Sequence, residues 1–389
     1  MSSEFSLSED RLAILDAADR YGREQLAPLA RRMDDEEWWP DEAFRALGGE
    51  GYLGITAPGD LGGADLDFFS AGLVLQGFSR WNYALGLSWV AHENLCLNNI
   101  LRNGSRELSE RYVPGLASGS LIGCLGLTEP GAGSDALGSM ATTAVLDGDD
   151  YIVNGRKLFI TNGSVADICL LYVKTDLDKG SQGITALVVE LECPGASVAQ
   201  KLVKMGFRGS PTAELAFDDC RVPVVNVIGQ VNEGVQCVMS GLDLERAAIA
   251  PICVGMAERA LELSIDYAKE RVQFGEPIAN FQMIQARLAE MATLVDTMRV
   301  YNYFALSALN DMPLGQGGRG DVHRISATSV MFASESLNRV LDHAAQIHGG
   351  MSYIWETEIN RLYRGIKMLE IGAGTTEIRK LIIAQELLK

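Results

Sequence analysis

The sequence predicts an α+β multidomain fold: an N-terminal α-helical domain over residues 1–120, a middle antiparallel β-barrel domain over 121–228 and a C-terminal four-helix-bundle domain over 229–389. Three observations predict it. Apolar residues recur at helical spacing through the first third. They give way to short β-branched and aromatic runs cut by turn dipeptides. The helical period then returns and holds to the end.

In the first segment Leu12, Ile14, Leu15, Ala18 and Tyr21 mark one helical face. Leu73, Val74, Leu75 and Phe78 mark a second, and Leu85, Leu87 and Val90 continue it. Breaks fall at Pro40, Pro58-Gly59 and Asn103-Gly104. His92 lies inside a helix with no readable partner, which favours a packing role over catalysis. Residues 151–153, 157–161, 168–173 and 184–189 read as strands. The dipeptides Asp147-Gly148, Asn154-Gly155, Asn162-Gly163 and Pro194-Gly195 read as the turns between them. Residues 258–271, 281–310, 322–345 and 354–371 are long enough for a bundle of antiparallel helices.

Composition narrows the function without naming it. With 33 Lys and Arg against 51 Asp and Glu the net charge is −18, which argues against nucleic acid or an anionic membrane as the partner. The seven cysteines show no Cys-x-x-Cys pair and the four histidines no His-x-x-x-His, so a zinc site is not expected and the thiols read as reduced. No uninterrupted 18-residue apolar stretch appears, so no membrane span is expected. The start, Met1-Ser2-Ser3-Glu4, carries no targeting pattern, and a cytoplasmic protein is expected.

Residues 240–246, Ser-Gly-Leu-Asp-Leu-Glu-Arg, open a long apolar helical run. Asp243 and Arg246 are placed to pair on one face, whereas Glu245 points elsewhere, among Leu, Ala and Ile. Such a carboxylate is either a solvated side chain at a helix start or a general base with a raised pKa. Two glycine patterns, Gly131-Ala-Gly133-Ser-Asp-Ala136 and Gly315-Gln-Gly317-Gly-Arg-Gly320, have the spacing of a dinucleotide fingerprint. The first precedes a strand-like run and the second joins two helices, so a Rossmann domain is rejected. Residues 125–135 still form a loop whose small residues let backbone approach a planar or phosphorylated ligand, although taken alone a plain Gly/Pro connection is the default reading. Arg271 and Phe274, between two helices, suit a diphosphate and a ring, or else a cap and a core aromatic. Residues 346–350 and 371–377 are further glycine interruptions in helical surroundings.

Taken in order, these segments resemble the acyl-CoA dehydrogenase family of flavoproteins over the whole chain. The carriers are residues 125–134, Lys157-Leu-Phe-Ile-Thr-Asn-Gly163, Met205-Gly-Phe-Arg-Gly-Ser210, 271–282, 346–350 and 374–377. The resemblance implies FAD between the β-domain and the C-terminal bundle, in a homotetramer built as a dimer of dimers. It assigns Leu125, Leu127, Thr128, Gly133, Ser134, Phe159, Ile160 and Thr161 to the flavin ring. Arg271, Phe274, Gln282, Gln346, Ile347, Gly349 and Gly350 fall to the diphosphate and adenosine end, supplied by a neighbouring subunit. Thr375, Thr376 and Glu377 also line the FAD site. Ser134, Ser181, Gln182, Gln236, Asp243, Arg246, Ala373 and Gly374 meet the acyl-CoA, with Leu95 near the acyl chain.

The departures sharpen the resemblance. Most members carry a catalytic glutamate where this chain has Ala373, which cannot take a proton. A minority, the isovaleryl-CoA and long-chain types, place the base on the earlier helix, where this chain has Glu245. The strings around Met239–Arg246, Ala91–Cys96 and Glu370–Thr375 resemble the isovaleryl-CoA type. Phe159 replaces a usual tryptophan and keeps an aromatic face for the flavin. Met351 and Ser352 replace a more typical asparagine and glycine.

The resemblance therefore implies α,β-dehydrogenation of a short branched acyl-CoA, isovaleryl-CoA to 3-methylcrotonyl-CoA, with electrons passed to an electron-transfer flavoprotein. Glu245 would take the α-proton, and the Ala373 backbone N–H would serve the thioester oxygen. Other acyl chains, an oxygen-reacting enzyme of the same fold and a non-catalytic acyl-CoA or flavin-binding protein stand as alternatives.

Overall fold

The computed structural model describes residues 7–310, 312 and 317–389. Met1–Glu4 and the Gly315-Gln316 part of the second glycine pattern therefore lie outside the described residues.

The helical period of the first third becomes α1 (Glu9–Tyr21), α2 (Ala27–Glu36), α3 (Asp41–Gly49), α4 (Phe68–Val90), α5 (Asn98–Asn103) and α6 (Arg106–Ala117). Side-chain caps set the starts. Ser8 accepts from Arg11 N, Asp67 from Ser70 N and Ser105 from Leu108 N, each satisfying an amide that the first turn leaves unpaired. Helix α4 is buried along nearly all its length and breaks helical geometry at Asn82, whose Nδ2 donates to Leu26 O instead. It runs into a π-helical stretch, Ala91–Leu97, before α5. His92 is packed here as its sequence context suggested: its ring nitrogens meet Leu116 O and Gly123 N, each at 3.1 Å.

The middle segment forms β1 (Gly123–Gly126), β2 (Thr143–Asp147), β3 (Asp150–Thr161), β4 (Ile168–Lys174), β5 (Ile184–Glu190), β6 (Ala196–Lys201), β7 (Thr212–Pro223) and β8 (Val227–Ile228). The sheet order is β6-β7-β3-β2-β4-β5-β8, with β1 paired to β4. The expected antiparallel barrel is realised as a mainly antiparallel sheet with two ends, in which β1–β4 and a single β2–β4 pair are parallel. Asn154-Gly155 corrects a second expectation. It is a bulge within β3, where register shifts against β7, because Gly155 absorbs φ +151 without ending the strand. Asp147-Gly148 does turn the chain, closing the β2–β3 hairpin.

Helix α7 (Gly234–Glu270) is one element of 37 residues, where sequence spacing suggested two stretches. Pro251 lies inside it and removes one backbone bond, but every residue from 247 to 257 is buried, so packing on all sides outweighs the local cost. The hairpin β9 (Val272–Gln273) and β10 (Glu276–Pro277) follows, then α8 (Gln282–Asn310), α9 (Gly320–His348), α10 (Glu358–Ile371) and α11 (Thr376–Leu387). Helix α7 packs against α4, α8 and α9 at the centre of the main core. Gly255 permits the α4 contact: a Cβ there would stand 2.4 Å from Gln76 O.

Polar ties hold the three parts together. Asn162 Nδ2 donates to Ser88 O at 2.8 Å, joining the turn after β3 to α4, and Arg364 pairs with buried Asp34, joining α10 to α2. Among the described residues no helix is long and apolar enough to cross a membrane.

Candidate active site

The site is organised around the first third of α7 and the turn between α10 and α11. Asp243 is fully buried and acts as the anchor. Its Oδ1 accepts from Arg246 Nη1 at 3.2 Å, meets His323 Nδ1 at 2.6 Å and accepts from Ser326 Oγ at 3.3 Å. Its Oδ2 accepts from Gly318 N at 2.7 Å. This corrects the expectation that Asp243 meets an acyl-CoA: protein groups occupy both oxygens, and its role is to hold Arg246 and α9.

Arg246 then reaches across to the α10–α11 turn, its Nε donating to Ala373 O at 3.2 Å. The same turn is gripped from the other side. Arg379, fully buried on α11, donates through Nη2 to Leu369 O at 2.9 Å and Gly372 O at 2.5 Å, and through Nη1 to Ser334 Oγ at 3.1 Å. Ala373 is held at φ +55 and Gly374 at φ +94. A left-handed alanine is a small strain that persists because its neighbours over-determine it. Two guanidiniums on successive carbonyls are that determination. Thr375 caps α11, accepting from Ile378 N at 3.4 Å, and Thr376 Oγ1 donates to Glu370 O at 3.3 Å, while Glu377 is exposed on the first turn.

Glu245 lies within electrostatic reach of the two arginines that hold this turn. Its carboxyl keeps some contact with solvent, yet surrounding protein dominates and burial pushes it up to about 7, against the lowering pull of Arg246 and Arg379. A carboxylate tuned to neutrality is matched to proton transfer at neutral pH. Ala373 offers no competing carboxylate.

A second wall comes from the β-domain. Lys157 and Glu129 form a buried ion pair at 2.8 Å, and Lys157 Nζ also donates to Leu127 O at 3.2 Å. Glu129 accepts from Ala141 N at 2.6 Å and Thr142 N at 3.0 Å. Thr128 O accepts from Leu158 N at 2.8 Å. These bonds clamp the 125–134 loop beside β3 and leave Gly133 and Ser134 exposed. Phe159 projects from β3 at φ +61 with 64% of its surface exposed. An exposed ring on strained backbone is the kind of outlier that marks a ligand surface. Leu125 and Thr161 are half-buried, but the Leu127 and Ile160 side chains face the core, so only their backbone is open to a ligand. Ile347 is corrected likewise.

Among the acyl-CoA candidates, Ser181 and Gln182 lie in a short turn before β5, with Gln182 exposed. Gln236 is exposed on the first turn of α7, and Leu95 is half-buried in the π-helical stretch. The remaining cofactor candidates gather at the opposite end of the bundle. Arg271, Phe274, Gln282, Gln346, Gly349 and Gly350 are all exposed there, Phe274 to 95%. Tyr267 stacks on His348 at 4.5 Å and Arg287 meets His343 at 2.9 Å, bringing the α7, α8 and α9 termini together. Arg271 has no side-chain partner among the described residues. It follows Glu245 by 26 positions, ~39 Å along a straight helix.

Sequence reading missed three groups. Glu129 and Glu93 stood in quoted motifs with no role, and Arg379 lies just past the last of them. Each acts through a partner far away in sequence, which no local signal reveals.

Comparison with known proteins agrees with this architecture. Models of the acyl-CoA dehydrogenase N-terminal, middle and C-terminal domains match residues 8–120, 124–220 and 232–388. A mitochondrial 2-methylacyl-CoA dehydrogenase of Solanum tuberosum is 39% identical over 390 residues, covering 100% of this chain and 93% of the relative. A mitochondrial isovaleryl-CoA dehydrogenase of Pongo abelii is 40% identical over 383 residues, covering 97% and 89%. The solved butyryl-CoA dehydrogenase of Megasphaera elsdenii superposes with a TM-score of 0.94 at 33% identity, covering 99% of this chain and 100% of that one.

Proposed function

The chain belongs to the acyl-CoA dehydrogenase family, and on that premise we propose that it oxidises a short branched-chain acyl-CoA across its α,β bond, isovaleryl-CoA to 3-methylcrotonyl-CoA, with Glu245 as the base. It is a flavin-dependent oxidoreductase. The observation that carries the proposal is the pairing of a near-neutral Glu245 with a carboxylate-free turn at Ala373.

The residues present fit FAD. The exposed Phe159 ring and the open backbone of 125–134 suit its ring system, and unpartnered Arg271 with the exposed 346–350 turn suits its diphosphate end. The distance between Glu245 and Arg271 along α7 exceeds the reach of one FAD. This supports the reading that one cofactor spans two subunits of a homotetramer. When bound, FAD supplies the acceptor for the β-hydride at N5, and electron-transfer flavoprotein is the proposed onward acceptor.

The chain's own part is positional and protolytic. Ser134, Gln182 and Gln236 border the path proposed for the CoA arm. The Ala373 N–H, fixed by Arg246 and Arg379 on the neighbouring carbonyls, donates to the thioester oxygen where charge develops on loss of the α-proton. Glu245 takes that proton, and with the β-hydride also lost to the bound cofactor the product would be a 2-enoyl-CoA. Because burial holds its pKa near neutrality, it accepts the proton readily and releases it to solvent after product leaves.

The test is a panel of isovaleryl-, 2-methylbutyryl-, butyryl- and octanoyl-CoA, with electron-transfer flavoprotein or oxygen as acceptor. Isovaleryl-CoA with the flavoprotein should give the highest kcat/KM. A preference for 2-methylbutyryl-CoA would favour the 2-methylacyl chemistry named for the Solanum tuberosum relative. Rapid turnover with oxygen alone would make it an oxidase.

A further inference from the structure

All seven cysteines are free thiols; six are buried and Cys193 is half-buried. Cys193 lies in the connection from β5 to β6, and Cys220 lies near the end of β7 with no exposed surface. The register of the β6–β7 pair brings the two together. Ala196 stands opposite Phe217, and the bond from Asp218 N to Gly195 O, at 2.9 Å, carries the ladder one step past β6. Continued by two more residues, the same register sets Cys193 opposite Cys220. Gly195 permits that continuation. It sits at φ +92, and a Cβ there would stand 2.5 Å from Asp218 O and 2.8 Å from the Cys220 Cα. Turn bonds on either side, from Cys193 N to Glu190 O at 3.1 Å and from Ala196 N to Cys193 O at 3.2 Å, fix the Cys193 backbone. The two Sγ atoms come to 2.9 Å from each other.

Facing residues of an antiparallel pair have Cα atoms ~4.5–5.5 Å apart, within the ~4.4–6.8 Å that a disulfide spans. We propose that Cys193 and Cys220 form a thiol-oxidation site, at which a hydroperoxide converts the pair into a reversible disulfide while β6 and β7 stay in register.

The two thiols take different parts. Cys193 reaches solvent, and its hydrogen bond with Cys220, helped by the Ala196 N–H, brings it down to about 7 against burial and the Glu190 charge. Much of it is therefore thiolate at neutral pH, the form that attacks a peroxide. Cys220 is pushed upward, first by the bond to Cys193 and then by burial, and keeps its proton. The Cys193 thiolate attacks one peroxide oxygen and the O–O bond breaks. The departing hydroxide takes up the proton that Cys193 gave away, which leaves a sulfenic acid and one water. The Cys220 sulfur then attacks the Cys193 sulfur, the S–O bond breaks, and the hydroxyl leaves with the Cys220 proton as a second water. The two thiols lose two electrons and the peroxide gains them. Facing position alone does not make such a site. Cys124 and Cys169 also stand opposite each other, across β1 and β4, but neither has any exposed surface for a peroxide to reach.

The experiment treats the flavin-loaded enzyme with hydrogen peroxide, removes the excess and counts free thiols after denaturation. The wild type should lose two thiols and recover both with dithiothreitol, and peptide mapping without reduction should find Cys193 joined to Cys220. Cys193→Ser should lose none. Cys220→Ser should stop at a Cys193 sulfenic acid that dimedone traps. An unchanged thiol count in the wild type would overturn the proposal. So would a Cys193 oxidised without a cross-link, a bond between two chains, or loss of Cys124 and Cys169 in place of this pair.

Discussion

Replacing Arg379 probes both halves of the proposed chemistry at once. Its guanidinium is buried and holds two carbonyls of the Ala373 turn as well as Ser334, and its charge lowers the pKa of Glu245. Burial brings Arg379 itself down to about 10, so it is still a cation at neutral pH. Arg379→Gln removes the charge and loosens the turn. Outright loss of a preorganised donor for the developing oxyanion costs on the order of a hundredfold in kcat; Arg379 positions the Ala373 donor, so a drop of up to that size is expected with a much smaller change in KM. The pH profile separates position from charge. Of the two cations that act on Glu245, Arg246 stays in place. Removing the Arg379 charge should therefore raise the Glu245 pKa above about 7 and move the acid limb of kcat/KM to higher pH. Arg379→Lys keeps the charge and should leave that limb in place while kcat still falls. Stopped-flow flavin reduction between pH 5.5 and 9 (roughly two units either side of a neutral pKa) reads both. An unmoved acid limb and unchanged kcat in the Gln variant would refute the reasoning.

Other outcomes follow from the same contacts. Glu245 has its folded-state pKa raised from 4.5 to about 7, so the stability it permits is present below 4.5 and is lost as pH rises through about 7. Glu245→Gln should therefore melt a few degrees higher than wild type at pH 8 and equal to it at pH 4.5, on the order of 1–3 kcal/mol by linkage; calorimetry at both pH values checks the sign. Glu129→Gln strips the partner from buried Lys157 and should cost ~3–5 kcal/mol by chemical denaturation, with FAD more easily lost because the 125–134 loop is clamped by that pair. Adding Ala373→Glu to Glu245→Gln restores a carboxylate at the turn, and partial recovery of turnover on straight-chain substrates is expected. Complete absence of recovery would mean that the pocket shuts that position out.

Much of the architecture was legible because hydrophobic period is a local signal: α4, α8 and α9 all announce themselves in the spacing of their apolar residues. Pro251 did not mark an end because burial around residues 247–257 outweighs its local cost, and Asn154-Gly155 became a bulge because strand β7 continues past it. Glu245 could be singled out for its apolar neighbours, and Ala373 for the carboxylate it lacks. The partners that set their geometry could not. Arg246 and Ala373 are 127 residues apart, Asp243 and His323 80, and Lys157 and Glu129 28 across a strand and loop. Asp243 was expected at the ligand only through the family resemblance, whereas its spacing from Arg246 pointed to an ion pair. Only tertiary packing shows that donors on α7, α9 and the approach to α9 occupy both of its oxygens.

The central claim is that Glu245 removes the substrate's α-proton. The direct measurement is anaerobic mixing of the flavin-loaded Glu245→Gln variant with isovaleryl-CoA, following flavin absorbance. The account predicts wild-type flavin content and retained ligand binding with essentially no bleaching. Bleaching at the wild-type rate would contradict it.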